Sequence, residues 1–306
     1  MATLELQMNT GKPIPVLGLG TWKAADGDTY RAVLAALESG YRHIDTAAIY
    51  RNEAAVGRAI RDSGVPREKI FVTTKLWCTQ QRDPQSALNA SLERLGLDYV
   101  DLYLMHFPVA LKTDLIKDGN VLSIPVRADG ARDVDIDGWS FVKTWQLMQD
   151  LPKSGKTKAI GVSNFSIKNI EEILKPELGL SVPAANQIEI HPQLPQDELI
   201  EYCKSKGIIV EAYSPLGSSE SSMLTDPDLI KLAEKHQVEP AQILISWGVT
   251  RGYCILPKSV NSKRVQSNLK IVKLSSNDVQ QISKILEKLG SKRYVSPSWA
   301  PFPMYE

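Results

Sequence analysis

The chain has 306 residues, of which 43% are hydrophobic and 23% charged, and its formal net charge at pH 7 is +1. These values are typical of a globular protein with enough apolar residues for a large core, and they give no electrostatic reason to expect a nucleic acid or a membrane as partner. The three cysteines, Cys78, Cys203 and Cys254, have neither paired nor metal-type spacing, no secretion signal opens the chain, and no apolar run reaches membrane-spanning length, so we expect a cytoplasmic protein without a metal site.

The first predicted element is a hairpin over residues 4–16, with its turn near Asn9–Gly11, which would plug one end of a barrel. After it, short β-branched or apolar runs alternate with amphipathic stretches of helical period. The eight runs span residues 16–22, 41–47, 70–77, 100–107, 159–164, 185–190, 208–214 and 254–259.

The stretches between the runs carry helix start and stop signals. Asp83 precedes a proline and Gly96 ends the same stretch, while the pattern from Ser275 to Asp278 predicts a cap for the last helix. Eight strand–helix units predict a (β/α)8 TIM barrel that forms one domain over residues 1–306. An open doubly wound sheet uses the same alternation and is the structural alternative.

Two segments depart from the repeat. Residues 109–139 are long and have no clear period, so we expect a lid or binding loop there. The tail after the last helix is rich in proline and aromatic residues, among them Trp299 and Phe302. We expect this tail to fold back over the mouth of the barrel.

Polar residues follow several of the predicted strands at their carboxyl ends. In a barrel these ends all face one side, and chemistry is usually found there. The polar residues at these strand ends are Asp45, Tyr50, Lys75, His106, Ser163, Asn164, Gln187 and Tyr213. Taken one at a time, Lys75 would be a solvated strand end, Asp45 a turn acceptor, His106 a core histidine and Tyr50 an ordinary aromatic side chain.

Together, four of these residues predict proton donation to a carbonyl. A tyrosine has a pKa near 10, and an ammonium group nearby favours the phenolate, so we expect Lys75 to bring the pKa of Tyr50 closer to neutral pH. Asp45 would pair with Lys75 and hold it charged. His106 would orient the carbonyl oxygen or share in the proton relay.

The chain resembles an aldo-keto reductase nearly from end to end. The corresponding motifs, in order, are LGLGTW, HIDTAAIYRNEAAVG, VTTKLW, DLYLMHFP, AIGVSNF, NQIEIHP, EAYSPLG and ILPKSVNSKRVQSN. The resemblance implies a catalytic tetrad of Asp45, Tyr50, Lys75 and His106 that reduces aldehydes or ketones with a nicotinamide cofactor. Hydride transfer needs such a cofactor because no side chain donates a hydride.

The resemblance also implies the cofactor contacts. Ser163, Asn164 and Gln187 would hold the carboxamide, and Tyr213 would stack on the nicotinamide ring. The other implied contacts are Thr21, Trp22, Asp45, Ser214, Leu216, Ser218, Lys258, Ser259, Val260, Arg264 and Asn268.

The pair Lys258 and Arg264 favours NADPH over NADH, because two cations beside backbone donors suit a 2′-phosphate. One departure lies next to them, since many relatives have a glutamate at the position of Ser267. Its absence removes a contact to the adenine amino group.

A second departure concerns the substrate, because Phe107 stands where much of the family has tryptophan. We expect a wider, mostly apolar cleft that suits carbonyls with a hydrophobic or ester-bearing arm. The expected lining residues are Trp22, Tyr50, Trp77, His106, Phe107 and Trp299.

Three other functions remain open from the sequence. A Schiff-base aldolase would also place a lysine on a barrel strand, but it gives no role to Tyr213 or to the pair Lys258 and Arg264. A regulatory module similar to the potassium-channel β-subunits would bind the cofactor and turn over little. A polyol or glycerol dehydrogenase would run the reaction toward alcohol oxidation with NADP. By resemblance we expect a monomer that binds a small carbonyl substrate.

Overall fold

The computed structural model describes residues 4–218 and 221–305. Its main sheet has eight parallel strands that are hydrogen-bonded to one another in chain order. They are β3 Leu19–Gly20, β4 His43–Asp45, β5 Phe71–Leu76, β6 Val100–Met105, β7 Thr157–Ser163, β8 Ala185–Glu189, β9 Ile209–Tyr213 and β10 Cys254–Leu256. Seven of the eight predicted runs contain one of these strands, and the run over residues 159–164 overlaps β7, which begins two residues earlier.

The sheet closes on itself between its first and last strands. Leu17, just before β3, bridges Ile255 on β10 in parallel, and Gly18 N donates to Ile255 O at 2.9 Å. This closure confirms the predicted (β/α)8 barrel and excludes the open doubly wound sheet, whose edge strands stay apart.

Helices cover the outside of the barrel. They are α1 Asp26–Ser39, α2 Glu53–Asp62, α3 Pro84–Leu95, α4 Phe141–Met148, α5 Ile167–Ile173, α6 Asp197–Ser205, α7 Pro227–His236, α8 Pro240–Thr250, α9 Ser262–Ser267 and α10 Ser276–Leu289. The predicted boundary signals are confirmed: Asp83 accepts from Ser86 N at the start of α3, and Gly96 ends that helix with φ of 63°. Ser275 and Asp278 cap α10 reciprocally.

The base of the barrel is sealed by an antiparallel hairpin of β1 Glu5–Gln7 and β2 Pro13–Pro15. Ile14 and Met8 are fully buried there against residues that lie at the starts of the barrel strands, including Phe71, Leu102 and Ala159. The predicted hairpin plug is therefore confirmed. Within the described residues, no helix is long and apolar enough to span a membrane.

The opposite end, the mouth, is covered by the 109–139 loop and the tail. The loop has only short bridges, between Leu111 and Val134 and between Val126 and Arg132. It is tied down by Trp77, whose Nε1 donates to Ser123 O at 2.8 Å. In the tail Trp299 is only 2% exposed, as expected of a segment that folds back over the mouth.

Candidate active site

The centre of the mouth is a buried ion pair between Lys75 on β5 and Asp45 on β4. Lys75 Nζ lies 2.8 and 2.7 Å from the two Asp45 carboxylate oxygens and 2.9 Å from Thr46 O, so all three ammonium hydrogens have acceptors. Burial by itself lowers the pKa of Lys75, but the charge of Asp45 opposes burial and the net pKa is raised. Lys75 is therefore held as a fully buried cation.

Tyr50 lies beside this cation on the short turn that follows β4. The Lys75 ammonium nitrogen is 5.2 Å from the centroid of the Tyr50 ring. Burial raises the pKa of Tyr50 above its ordinary value, and the charge of Lys75 opposes that rise. The expectation that the pKa of Tyr50 falls toward neutrality is thus wrong for the net direction: Lys75 acts with the expected sign, but desolvation of the phenolate is larger.

His106 completes the group at the end of β6. Its ring centroid lies 5.7 Å from that of Tyr50 and 5.5 Å from that of Trp77, both edge-on. Burial and the nearby Lys75 charge hold the pKa of His106 well below its usual range, so the imidazole is neutral. Its Nδ1 has no hydrogen-bond partner within residues 4–218 and 221–305. A neutral imidazole here has an N–H to offer to a substrate oxygen.

Four predicted polar residues on the neighbouring strands are linked by hydrogen bonds. Asn164 donates from Nδ2 to His106 O at 2.9 Å and accepts from the Tyr213 hydroxyl at 2.7 Å. Ser163 donates from Oγ to Gln187 O at 2.8 Å. Asn164 has φ of 63°, a left-handed conformation that asparagine tolerates better than most residues and that lets the chain turn sharply after β7. The structure brings these four predicted residues together next to the tetrad.

The turn after β9 also contains a residue in the left-handed conformation. Ser214 has φ of 50°, and its carbonyl accepts from Gly217 N at 2.8 Å. Leu216 is half-buried and packs against the main hydrophobic core. Ser218 is the last described residue before residues 219–220.

Two cations stand beyond the end of β10, at the outer rim of the mouth. Lys258 and Arg264 are exposed, and neither forms an ion pair with a carboxylate in the described part of the chain. Burial and the nearby charge of Arg264 lower the pKa of Lys258, while Asp28 opposes them. Asn261 caps α9 by accepting from Arg264 N at 3.1 Å. Two unpaired cations beside a capped turn are suited to an anionic ligand.

The remaining predicted cofactor contacts surround this rim. Ser259 accepts from Asn261 N at 3.1 Å, Asn268 is 4% exposed, and Val260 is 38% exposed. On the other side, Thr21 donates from Oγ1 to Asp45 O at 3.0 Å and so links the end of β3 to the buried ion pair.

An apolar cluster covers the tetrad from above. The Trp299 ring centroid is 4.7 Å from that of Phe107 and 6.3 Å from that of Trp77, and Phe107 stacks on His106 at 5.1 Å. The space expected beside Phe107 is therefore occupied by Trp299. Trp22 stays outside this cluster, 41% exposed, with the Lys23 ammonium 4.4 Å from its ring centroid.

Sequence reasoning missed a set of buried polar residues around the site. Asn52 donates to Thr21 O at 2.9 Å and accepts from Thr46 Oγ1 at 3.1 Å. Glu189 accepts from Tyr294 N at 2.7 Å and from Val295 N at 2.9 Å, which anchors the start of the tail.

Two further missed residues, His43 and Glu211, lie fully buried beneath the ion pair. A usable signal existed for them. His43 stands two residues before Asp45, and Glu211 two before Tyr213, so strand alternation places each on the face of its predicted neighbour.

Comparison with known proteins gives one family model, described as the aldo/keto reductase family, that matches residues 16–287. Aldehyde reductase YPR1 of Saccharomyces cerevisiae is 61% identical over 305 residues, which cover all of this chain and 98% of the relative. Glycerol 2-dehydrogenase (NADP(+)) of the same yeast is 58% identical over 305 residues, with the same coverage. D-galacturonate reductase of Hypocrea jecorina is 43% identical over 304 residues, covering 97% of this chain and 96% of the relative.

Proposed function

Because the chain belongs to the aldo/keto reductase family, we propose that it reduces aldehydes and ketones to alcohols with NADPH and that Tyr50 donates the proton. One observation carries the assignment of the acid: the ammonium of Lys75, fixed by both oxygens of Asp45, lies against the Tyr50 ring at the floor of the mouth. A structural ion pair has no need of a phenol and a neutral imidazole on its open side. Proton donation to a carbonyl oxygen uses a hydroxyl such as that of Tyr50, and a neutral imidazole beside it can orient the same oxygen.

The side chains have separate roles in this proposal. A bound reduced nicotinamide supplies the hydride that no side chain donates. The Tyr50 hydroxyl protonates the substrate oxygen, and the Lys75 cation stabilises the phenolate that is left behind. Asp45 keeps Lys75 charged and fixed in position. Neutral His106 donates a hydrogen bond that orients the carbonyl oxygen before transfer.

The contacts at the mouth support a nicotinamide cofactor. We assign the carboxamide to the linked group of Ser163, Asn164 and Gln187, and the ring face to Tyr213. The hydrogen bond from Tyr213 to Asn164 holds that ring and that amide in one fixed relation. The further contacts that we assign are Thr21, Trp22, Asp45, Ser214, Leu216, Ser218, Lys258, Ser259, Val260, Arg264 and Asn268.

The choice of the phosphorylated cofactor rests on the outer rim. Lys258 and Arg264 have no carboxylate partner in the described residues, and a dianionic phosphate would neutralise both. The name of the glycerol dehydrogenase relative, which specifies NADP(+), points the same way. We assign the 2′-phosphate to these two side chains.

The substrate contacts follow from the apolar cluster. We assign Trp22, Tyr50, Trp77, His106, Phe107 and Trp299 to the substrate side of the mouth. Aromatic faces next to a single acid favour small carbonyl compounds with a hydrophobic or ester-bearing arm. We also retain a single domain over residues 1–306 and a monomer in the cytoplasm as predictions.

A panel of aldehydes, ketones and keto esters tests the reaction, with NADPH and NADH consumption followed by absorbance. We expect consumption of NADPH with several carbonyls and stoichiometric alcohol product. Tight NADPH binding without turnover on any carbonyl would instead indicate a regulatory module. Trapping of a substrate adduct on Lys75 with borohydride would indicate aldolase chemistry.

Alcohol oxidation is the second candidate, because the 58% identical relative is named for glycerol and NADP(+). The same site would then run in reverse, with the Tyr50 phenolate accepting the alcohol proton. Rates with glycerol and other polyols plus NADP+, compared with carbonyls plus NADPH at one pH, decide between the two directions. Faster polyol oxidation would make the dehydrogenase the main activity.

A further inference from the structure

A second buried carboxyl, Glu211 on β9, lies beneath the ion pair and has no role in the proposed reaction. Its side chain is fully buried, and its strand neighbours are Gln187 on β8 and Cys254 on β10. A buried acid next to the charged pair of Asp45 and Lys75 opposes folding unless it has a compensating partner. Its hydrogen bonds therefore have to explain why it is tolerated.

The partner is the amide of Gln187. Gln187 Nε2 donates to Asp45 Oδ2 at 2.8 Å and to Glu211 Oε2 at 3.1 Å. An amide nitrogen has two hydrogens and is only a donor, so both hydrogens are used by these two carboxyls. The amide oxygen of Gln187 is then left as the only polar atom of this side chain for a ligand. Two acceptors fix the orientation of an amide that would otherwise be free to flip.

The other carboxyl oxygen of Glu211, Oε1, faces the ring nitrogen of His43 that carries no hydrogen. His43 Nδ1 is 3.1 Å from Pro15 O, and because a carbonyl only accepts, Nδ1 carries the ring hydrogen. His43 Nε2 is therefore a lone pair; it is 3.2 Å from the Thr73 hydroxyl and 3.7 Å from Glu211 Oε1. Glu211 Oε1 has no hydrogen-bond partner within residues 4–218 and 221–305, so a negative charge on it would be unpaired beside the nitrogen lone pair of His43.

The electrostatic surroundings agree with a neutral glutamic acid. Burial and the charge of Asp45 raise the pKa of Glu211 to about 8, although the Gln187 bond and Lys75 oppose the rise. Burial lowers the pKa of His43 to about 4, so the histidine is neutral too. The charged and titratable groups around Glu211 are thus His43 and Asp45 on β4, Lys75 on β5 and Cys254 on β10.

We propose that Glu211, as a neutral acid, is a positioning residue that locks the Gln187 amide with its oxygen toward the mouth, where that oxygen accepts from the N–H of the cofactor carboxamide. The inference rests on the proposed function, because it assumes a nicotinamide cofactor. Under this inference, Glu211 favours a ligand with a carboxamide over one without it, although Glu211 does not contact the cofactor. A ligand without N–H donors at that position loses the contact.

Binding of a cofactor analogue tests the inference without measuring turnover. The 3-acetylpyridine analogue of NADP+ has a methyl ketone in place of the carboxamide and so lacks the N–H donor. Dissociation constants for NADP+ and the analogue are measured by quenching of tryptophan fluorescence. We expect the wild type to bind NADP+ about tenfold more tightly than the analogue, as one lost hydrogen bond predicts.

Two substitutions of Glu211 test whether the Gln187 amide needs this acceptor and whether the acceptor has to be charged. Glu211→Gln keeps an acceptor for Gln187 and a donor toward His43, so we expect the tenfold preference to remain. Glu211→Leu removes one of the two acceptors and leaves the Gln187 amide held by Asp45 Oδ2 alone, so the amide can turn more readily and the preference should shrink to about twofold. Cys254→Ala is the matched control, since it disturbs the neighbour of Glu211 on β10 and leaves the bond to Gln187 intact.

Each outcome decides the matter. An unchanged preference in Glu211→Leu, or in Glu211→Met if the leucine variant does not fold, overturns the inference while the proposed function stands. Loss of the preference in Glu211→Gln overturns the neutral-acid role, and so does a wild type that binds both compounds equally. If the wild type bound neither compound, the proposed function would fail first and the inference with it.

Discussion

The two ends of the barrel use the same strands for opposite purposes. On β5, Phe71 packs into the apolar base, and Lys75, four residues later, is a buried cation at the mouth. On β8, Ala185 belongs to the base, whereas Gln187 is hydrogen-bonded to two carboxyls. Burial of apolar surface at the base stabilises the fold. Burial of charge at the mouth opposes folding and is only partly offset by pairing.

This difference shows where sequence change is expected to act. A substitution at the base alters the free energy of unfolding and leaves the chemistry unchanged. A substitution at the mouth that leaves the buried pair of Lys75 and Asp45 intact alters chemistry or cofactor affinity with little change in stability. Four experiments on the two ends test that separation.

Removal of the Tyr50 hydroxyl is the strongest test of the mouth. We expect Tyr50→Phe to lower kcat/KM for carbonyl reduction about 1,000-fold, because the general acid is lost. NADPH affinity and the midpoint of urea unfolding should stay close to those of the wild type. Comparable activity in the two proteins would refute the acid role, and a large loss of stability would break the separation of the two ends.

Truncation of the plug is the corresponding test of the base. Ile14 is fully buried under the barrel, so Ile14→Ala should lower the free energy of unfolding by about 2–5 kcal/mol. At a temperature where the variant is folded, its kcat/KM should match the wild type. Leu4→Ala, at a position 57% exposed, is the control and should change stability little. A drop in kcat/KM of the folded Ile14→Ala protein would show that the base also supports catalysis.

The pH dependence of stability tests the buried acid between the two ends. Because the folded protein raises the pKa of Glu211 to about 8, the unfolded chain loses this proton at lower pH than the folded chain does. The stability contributed by the bound proton is complete below the unfolded pKa and is lost as pH rises to about 8. Glu211→Gln removes this slope, which amounts to at most about 1.4 kcal/mol per pH unit.

Urea unfolding of the wild type and of Glu211→Gln at several pH values from 5 to 9 measures that slope. The free energy of unfolding of the variant should increase relative to that of the wild type as pH rises. Above about pH 8 the difference between the two proteins should stay constant. Parallel curves across the whole range would mean that Glu211 is already ionised in the folded protein. The neutral-acid role would then be lost.

Removal of a rim cation should have the smallest effect. We expect Arg264→Ala to raise the KM for NADPH about tenfold and to change the KM for NADH by less than about twofold, since only NADPH carries the 2′-phosphate. Lys263→Ala, the exposed neighbouring cation on α9, is the matched control. Equal changes for the two cofactors would count against the phosphate assignment.

Much of the site was predictable because of how barrels are built. Parallel strands are buried on both faces, so they appear in the sequence as short apolar runs, and polar residues at their ends stand out. Asp45, Lys75 and His106 were found in this way. Glu189 and Glu211 were overlooked because an acid inside a strand has no evident partner until the barrel closes. Their partners, Tyr294 and Gln187, come from other elements of the chain.

Hydrophobic period and turn residues act locally, so the amino-acid sequence was enough to predict the alternation of strands and helices, the hairpin at the base and the residues at the strand ends. The closed barrel sets the direction of the Tyr50 pKa shift, the place of Trp299 over Phe107 and the orientation of the Gln187 amide. Gln187 and Asp45 are 142 residues apart in the chain and 2.8 Å apart in space. Desolvation and hydrogen bonding depend on such distances, which exist only once the eight strands have closed.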